Sequence, residues 1–126
     1  MPAADHALLL FSHGSPDPEW ARPLEALQMK LAERMAPMPV RLAFLPPAGP
    51  DFMTVVESLV NAGTRSLTVA PVFLARGGHV KKDLPELAAA AQARWGLGIT
   101  LLPTLGESDL VLNVMAEWLQ SQVTGR

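Results

Sequence analysis

The 126-residue chain contains no cysteine. That absence excludes a disulfide framework, thiolate zinc sites and cysteine nucleophiles. Long apolar runs are also missing, since no stretch approaches the roughly 20 residues of a membrane-spanning helix. The first ten residues, MPAADHALLL, lack the basic start of a signal peptide. We therefore expect a cytoplasmic protein with no membrane partner.

Basic residues are not in excess, because 10 Lys and Arg stand against 12 Asp and Glu. A nucleic-acid binder needs a basic face to neutralise phosphates, so we expect no nucleic-acid partner. The G-x-G-x-x-G and P-loop motifs of nucleotide sites are absent, and we predict no organic cofactor. Hydrophobic residues make up 49% of the chain, enough for one core, and we assign residues 1–126 to a single domain.

Four short apolar runs have the composition of strands buried in a sheet. They alternate with longer amphipathic segments that have the spacing of helices. The predicted strands are Ala7–Ser12, Val40–Leu45, Ser66–Leu74 and Gly98–Leu102.

The helical segments carry apolar stripes at spacings of three and four residues. The first either begins near Pro23 or kinks there. The second has Asp51 as its predicted N-cap and Gly63 just past its end. The four stripes are Leu24, Leu27, Leu31 and Met35; Phe52, Val55, Val56, Leu59 and Val60; the alanine-rich run up to Trp95; and Val111, Leu112, Met115, Trp118 and Leu119.

The start of the third helix is predicted at Asp83. Asp83 and Glu86 have the spacing of a capping box, and Pro85 would lie in the first turn, where its missing N–H costs nothing. Gly96 is predicted to end this helix.

Strands that alternate with helices predict a parallel sheet with right-handed crossovers. We predict an α/β three-layer sandwich with a four-stranded parallel sheet in the flavodoxin-like order 2-1-3-4. This order makes strands 1 and 3 neighbours, with a crevice at their carboxyl ends.

Two of the three histidines follow these neighbouring strands. His13 comes directly after strand 1, and His79 follows strand 3. Adjacent strands are about 4.8 Å apart, so two imidazoles at this edge can reach one metal ion. A histidine in a loop is commonly only a polar surface residue, but the shared position favours a functional pair. His6 precedes strand 1 at the opposite edge, and we assign it no role.

The surroundings of His79 are glycine-rich and basic. Gly77 and Gly78 allow a flat ligand to approach the backbone closely, although the same pair also forms ordinary turns. Arg76, Lys81 and Lys82 form a basic cluster that suits a ligand with several carboxylates. Ser12 and Ser15 flank His13, where turn and cap hydrogen bonds are their expected role.

Two segments resemble the signatures of the CbiX family of sirohydrochlorin chelatases. SHGSPDP at 12–18 resembles the family's H-G-S-x-D-P start, and PVFLARGGHVKKDLPEL at 71–87 resembles its second signature. With AFLPPAGPDF after strand 2, the similarity extends over almost the whole chain. The resemblance implies a chelatase-like half-domain that pairs as a homodimer.

The resemblance also implies a function, which is insertion of cobalt, nickel or iron into sirohydrochlorin during cobalamin or sirohaem synthesis. The divalent metal is then a substrate, and a sirohydrochlorin-like tetrapyrrole is the other. The family's metal-binding and catalytic histidines correspond to His13 and His79. The expected tetrapyrrole-binding residues are Ser12, Gly14, Ser15, Arg76, Gly77, Gly78, Lys81 and Lys82.

One departure from the family lies after strand 2, where Pro46 replaces the glutamate of a common F-L-E motif. Proline can neither coordinate a metal nor take a proton. Three hypotheses follow: a chelatase (a lyase), a non-catalytic carrier of tetrapyrrole or metal, and a structural or regulatory subunit that keeps only the family's dimer surface. Pro46 favours the second.

Overall fold

The computed structural model describes residues 5–46, 48–75 and 77–125. Four strands and four α-helices alternate along this chain. The strands are β1 (His6–Ser12), β2 (Val40–Phe44), β3 (Ser66–Pro71) and β4 (Gly98–Leu101), and the helices are α1 (Arg22–Met35), α2 (Phe52–Asn61), α3 (Gly78–Trp95) and α4 (Asp109–Thr124). Two short 3-10 turns, Pro18–Ala21 and Leu105–Glu107, precede α1 and α4.

The four strands form one parallel sheet in the order β2-β1-β3-β4. The predicted order 2-1-3-4 is therefore confirmed. Leu9 of β1 aligns with Arg41 of β2 on one side and with Val69 of β3 on the other. The carboxyl ends of β1 and β3 accordingly lie side by side, as the prediction of the two-histidine site requires.

Helices cover both faces of the sheet, but unequally. On one face α2 and α3 bury the larger core, in which Phe11 and Phe52 meet edge to face with centroids 5.9 Å apart. On the other face α1 packs over β1 and β2, where Leu8, Leu10 and Val40 form the smaller core. The predicted three-layer arrangement is present, with its second helical layer centred on one half of the sheet.

The first two helices begin and end near their predicted positions. A 3-10 turn leads into α1, so Pro23 lies at the helix start, where proline is tolerated. Asp51 is the N-cap of α2, and its carboxylate accepts from the Thr54 N–H at 2.9 Å. Gly63 follows the end of α2 with φ at 104°, a conformation that favours glycine.

The predicted start of α3 is wrong. The helix begins at Gly78, with Gly77 as N-cap, and Pro85 lies inside it. Asp83 therefore occupies the second turn and caps nothing at the helix start. A proline there costs one backbone hydrogen bond, and the burial of Leu84, Ala88 and Ala91 against the sheet offsets that loss. His79, Lys81 and Lys82 consequently belong to a helix and not to a loop.

Strand β1 begins one residue earlier than predicted, at His6, and the other three strands end early, most of all β3, which ends at Pro71 instead of Leu74. Helix α4 has the predicted position, but its apolar stripe has no buried residue. No helix in the described part of the chain is long and apolar enough to cross a membrane.

The cap of α2 gives a stability prediction. Hydrogen bonds from Thr54, first that of its side chain and then that of its N–H, lower the pKa of Asp51 below its ordinary value of 3.8. Asp51→Ala is expected to reduce the free energy of unfolding in urea by about 0.5–2 kcal/mol near neutral pH. Asp51→Asn keeps a hydrogen-bond acceptor and is the matched control. Its free energy of unfolding should fall by less.

The pH dependence of this effect has a definite sign. Because the folded-state pKa of Asp51 is lowered, its contribution is present above the unfolded carboxyl's pKa and disappears as the pH falls through the lowered value. The parent and Asp51→Ala should therefore converge in stability in acid. If the difference in unfolding free energy between the two proteins persisted in acid, the Asp51 carboxylate would not be its source.

Candidate functional site

The loops after the strands are tied together at the carboxyl edge of the sheet. The Leu45 N–H after β2 donates to the Ser12 carbonyl at 3.0 Å, and the Val72 N–H after β3 donates to the Phe11 carbonyl at 2.8 Å. The Leu105 N–H after β4 donates to the Phe73 carbonyl at 2.9 Å. These bonds hold the start of each loop in a fixed position relative to the next.

His13 lies at this edge with an exposed side chain. Its ring meets the Phe73 ring edge to face, with centroids 4.6 Å apart and an interplanar angle of 75°. The Trp20 indole N–H donates to the His13 carbonyl at 2.9 Å. The imidazole is thus oriented by an aromatic neighbour from the β3 loop while it stays accessible to a ligand.

The residues around His13 have mainly structural contacts. Ser12 is buried at the end of β1, and the Ser15 hydroxyl accepts from the Asp17 N–H at 3.1 Å, the expected turn role. Gly14 lies against Ala48, so that a Cβ added to Gly14 would collide with the Ala48 side chain. Gly14 is required here because the loops after β1 and β2 approach so closely.

The second half of the predicted site begins α3. Gly78 and His79 are the first two residues of that helix, directly after the exposed Gly77. Lys81 and Lys82 are exposed in the next positions of the helix. Arg76 and the side chains of Gly78, His79 and Val80 lie outside the described residues. A metal site shared by His13 and His79 therefore stays a prediction, supported by the adjacency of β1 and β3.

His6 has a separate environment at the amino end of the sheet. Its two ring nitrogens are 2.6 Å from the Ser66 hydroxyl and 2.7 Å from the Thr68 hydroxyl. Both nitrogens are therefore engaged within the fold. This position is consistent with the absence of any assigned role.

The hollows at the carboxyl edge are small and open. One of about 180 Å³ adjoins Gly14 and Ser15, and another of about 270 Å³ adjoins Lys81 and Glu107. A cavity of about 560 Å³ lies beside Arg41 and Phe44, away from His13, and no histidine is among its lining residues. Among the described side chains, no three His, Asp or Glu groups gather closely enough to hold a metal ion.

Pro46 adjoins two carboxylates that no spacing in the sequence connects with it. A cavity of about 310 Å³ is lined by Pro46, Asp83 and Glu86, together with Leu45 and Leu87. Asp83 and Glu86 lie in the second and third turns of α3, and both line this cavity beside the end of β2. Acidic groups are thus present in this part of the site although proline replaces the family glutamate.

Phe73, Trp20 and Gly106 are further site residues that the sequence did not reveal. Phe73 orients the His13 ring, and Trp20 holds the His13 backbone. Gly106 lies against the Leu74 carbonyl, where an added Cβ would collide. The apolar run around Phe73 indicated only a strand, and no spacing in the sequence connects Trp20 with His13.

Comparisons with known proteins show which family and fold the chain resembles. The sequence model of the CbiX family matches residues 7–122. A sirohydrochlorin cobaltochelatase of Methanocaldococcus jannaschii is 33% identical over 81 residues, a match that covers 64% of this chain and 57% of that protein. The matched segment is thus little more than half of that relative.

Two solved structures share the fold. A cobalamin biosynthesis CbiX protein from Marinobacter aquaeolei VT8 superposes with a TM-score of 0.83 at 26% identity, covering 96% of this chain and 99% of that one. The sirohydrochlorin chelatase SirB of Bacillus subtilis subspecies spizizenii, in complex with cobalt, superposes with a TM-score of 0.72 at 25% identity. That match covers 93% of this chain but 50% of the SirB chain.

The contact at Gly14 is testable by substitution. Gly14→Ala places a methyl group where the Ala48 side chain lies, and the expected loss of unfolding free energy in urea is about 1–3 kcal/mol. Gly98→Ala is the matched control, because the nearest atom to its added Cβ is 4.0 Å away. Equal stability of the two variants would show that the loops after β1 and β2 do not need this close approach.

Proposed function

Because the chain belongs to the CbiX family, we propose that it inserts a divalent metal ion into sirohydrochlorin or a similar tetrapyrrole. Cobalt, nickel and iron are the candidate metals, and the product would enter cobalamin or sirohaem synthesis. The observation that supports the proposal is the position of His13, exposed at the carboxyl end of β1 and oriented by Phe73 from the loop that leads to His79.

The chemistry of metal insertion fits imidazole. The macrocycle loses two pyrrole protons as the metal ion enters, so the metal must be delivered and the protons accepted. Neutral imidazole binds cobalt, nickel and iron and accepts protons near pH 7. Two histidine ligands leave coordination positions open to the incoming pyrrole nitrogens, and a loosely held ion is readily transferred. His13 and His79 are proposed for both roles.

The substrate's carboxylates give the basic residues of α3 a role. Lys81 and Lys82 are exposed on the first turns of that helix, and an ammonium group attracts a carboxylate as a point charge. Ser12, Gly14, Ser15, Arg76, Gly77 and Gly78 complete the proposed tetrapyrrole-binding set. The glycines allow the flat ring to approach the backbone.

We also propose that two copies of the chain pair. The hollows that described residues line at the carboxyl edge have volumes of about 180, 270 and 310 Å³, whereas ligand sites span roughly 300–1,000 Å³ and enclose most of the ligand. A second copy would supply the facing wall. The 50% coverage of the SirB chain is in keeping with a unit that functions in pairs.

The second candidate function is a non-catalytic carrier of tetrapyrrole or metal. Pro46 favours it, because a family glutamate that assists metal capture or proton removal is absent. Asp83 and Glu86, which share a cavity with Pro46, favour retained catalysis instead. A chelation assay decides between the two candidates.

The histidine pair gives the first functional prediction. His13→Ala and His79→Ala should each abolish specific cobalt binding measured by calorimetry. Both should also slow metal insertion, followed by sirohydrochlorin absorbance with each divalent metal in turn, by about 10²- to 10⁴-fold. His6→Ala is the matched control and should bind cobalt as the parent does. If it lost binding equally, or if His79→Ala kept full binding, the assignment would be wrong.

The second functional prediction concerns Pro46. We expect the parent to be a slow chelatase at best, with metal and tetrapyrrole binding better preserved than turnover. Pro46→Glu should insert cobalt faster than the parent, with the fold unchanged by circular dichroism. If the parent already inserts metal as fast as relatives that carry the glutamate, then Asp83, Glu86 or the ligand's own carboxylates must assist the reaction instead. Asp83→Asn and Glu86→Gln in the parent then separate these sources, since each variant is slower only if the replaced carboxylate has the role.

A further inference from the structure

Strand β2 forms one edge of the sheet, so part of its backbone points away from β1. The Leu45 N–H, directly after β2, donates to the Ser12 carbonyl of β1 at 3.0 Å. In a parallel ladder, successive residues of a strand direct their N–H and C=O groups to opposite sides. Odd-numbered residues of β2 therefore bond to β1, and the even-numbered ones direct both backbone groups outward. These outward residues are Val40, Leu42 and Phe44.

Two of the three outward residues have partners within the chain. The Gln28 side-chain amide donates to the Val40 carbonyl at 2.8 Å, and the Phe44 N–H donates to the Pro50 carbonyl at 2.9 Å. Leu42 lies between them, and no described residue hydrogen-bonds to its outward N–H or C=O. Pairing with another strand requires a row of free backbone groups. The single free residue here suits a small molecule instead.

The outward backbone of Leu42 adjoins the cavity of about 560 Å³ beside β2. This volume is within the roughly 300–1,000 Å³ of small-molecule sites. Helix α1 borders one side of the cavity and helix α2 the other, with the β2 edge between them. The lining residues that matter for binding are Glu25 of α1, Arg41, Leu42 and Phe44 of β2, and Val55 and Ser58 of α2. A cavity of ligand size thus surrounds the free part of the edge.

The two sides of this cavity carry opposite charges. Arg41 aligns with Leu9 of the larger core and therefore lies on the α2 side, near the exposed Ser58. Glu25 belongs to α1, which covers the opposite face of the sheet. Both charged side chains are exposed, and within the described chain neither has an ion-pair or hydrogen-bond partner. A cation and an anion thus flank one free backbone donor and one free backbone acceptor.

We propose that this cavity binds a free α-amino acid with an aliphatic side chain. The ligand carboxylate accepts hydrogen bonds from the Arg41 guanidinium and the Leu42 N–H. Its ammonium group donates to the Glu25 carboxylate and the Leu42 carbonyl. The aliphatic side chain packs against Phe44 and Val55, which are buried residues of the lining. The site is separate from His13, and the inference does not depend on metal insertion.

The backbone of Leu42 favours a zwitterion over an ion of one charge. An α-amino acid carries its donor and its acceptor on one carbon atom, as a residue of a neighbouring strand does. It can therefore bond to both groups of Leu42 in the place of one strand residue. A simple anion would leave Glu25 facing it unpaired, and a simple cation would leave Arg41 so. Hydrogen bonds with ionised groups are also the stronger kind.

The first test titrates L-leucine into ¹⁵N-labelled protein and follows the amide signals by NMR. Saturable shifts are expected at Arg41, Leu42 and Ser58. The matched probes are 4-methylpentanoate, which is leucine without its ammonium group, and 3-methylbutylamine, which is leucine without its carboxylate. Each should bind at least about tenfold more weakly than leucine. Equal binding of either probe, no saturable shifts with leucine, or shifts confined to the surroundings of His13 would overturn the proposal.

The second test removes one charge at a time. Arg41→Gln and Glu25→Gln keep a polar side chain of similar length, and each should raise the dissociation constant of L-leucine at least about tenfold. Arg34→Gln and Glu33→Gln are the matched controls, because both positions are exposed on α1 and neither lines the cavity. The controls should bind leucine as the parent does. If Arg41→Gln or Glu25→Gln weakened binding no more than its control, the proposed charge pairing would be rejected.

The third test examines the backbone contact by amide hydrogen exchange. At a leucine concentration of about ten times the dissociation constant, exchange of the Leu42 N–H should slow roughly tenfold. The Val40 N–H also points outward but lies outside the cavity lining, so its exchange should not change. Unchanged exchange at Leu42 in the saturated protein would reject the backbone contact. Metal insertion is assayed separately, and its absence would reject the proposed chelatase function without affecting the amino-acid site.

Discussion

The position of β1 between β2 and β3 is the constraint on which the rest of the structure depends. Its hydrogen bonds run to a parallel neighbour on each side, and both of its faces are covered. Ala7, Leu9 and Phe11 point into the larger core, and Leu8 and Leu10 into the smaller one. Because β1 and β3 are neighbouring parallel strands, the loops after both strands begin at one edge of the sheet.

The loops at the carboxyl edge of the sheet are held together by direct contacts. Three backbone hydrogen bonds connect the starts of successive loops, and Gly14 and Gly106 allow contacts that any side chain would prevent. Phe73 joins these elements, since its ring orients His13 and its carbonyl anchors the turn before α4. An exposed imidazole held in this way remains available to a ligand without having to be ordered when the ligand binds.

The two faces of the sheet differ in how they are completed. The face under α2 and α3 is closed by residues of the same chain, whereas the opposite face is closed over β1 and β2 only. Helix α4 keeps its apolar face exposed, and it therefore departs from the usual rule that an element buries its apolar side.

The alternation of strands and helices, the sheet order and the adjacency of the β1 and β3 loops could be read from the sequence. Apolar periodicity and the handedness of crossovers are local or nearly local properties. The cap at Asp51 was equally readable, because it depends on three neighbouring residues. The start of α3 was not, since the capping spacing at Asp83 competed with burial of the helix against the sheet, and burial prevailed.

What remained for the tertiary structure were contacts between residues far apart in the chain. Phe73 with His13, and Pro46 with Asp83 and Glu86, meet only because separate segments reach one edge of the sheet. Helix α4 shows the same limit most clearly. Its stripe of apolar residues determined that one face must be covered, but periodicity along a chain carries no information about which surface covers it. Only the packing of the whole sheet decided that the core of the same chain does not cover α4.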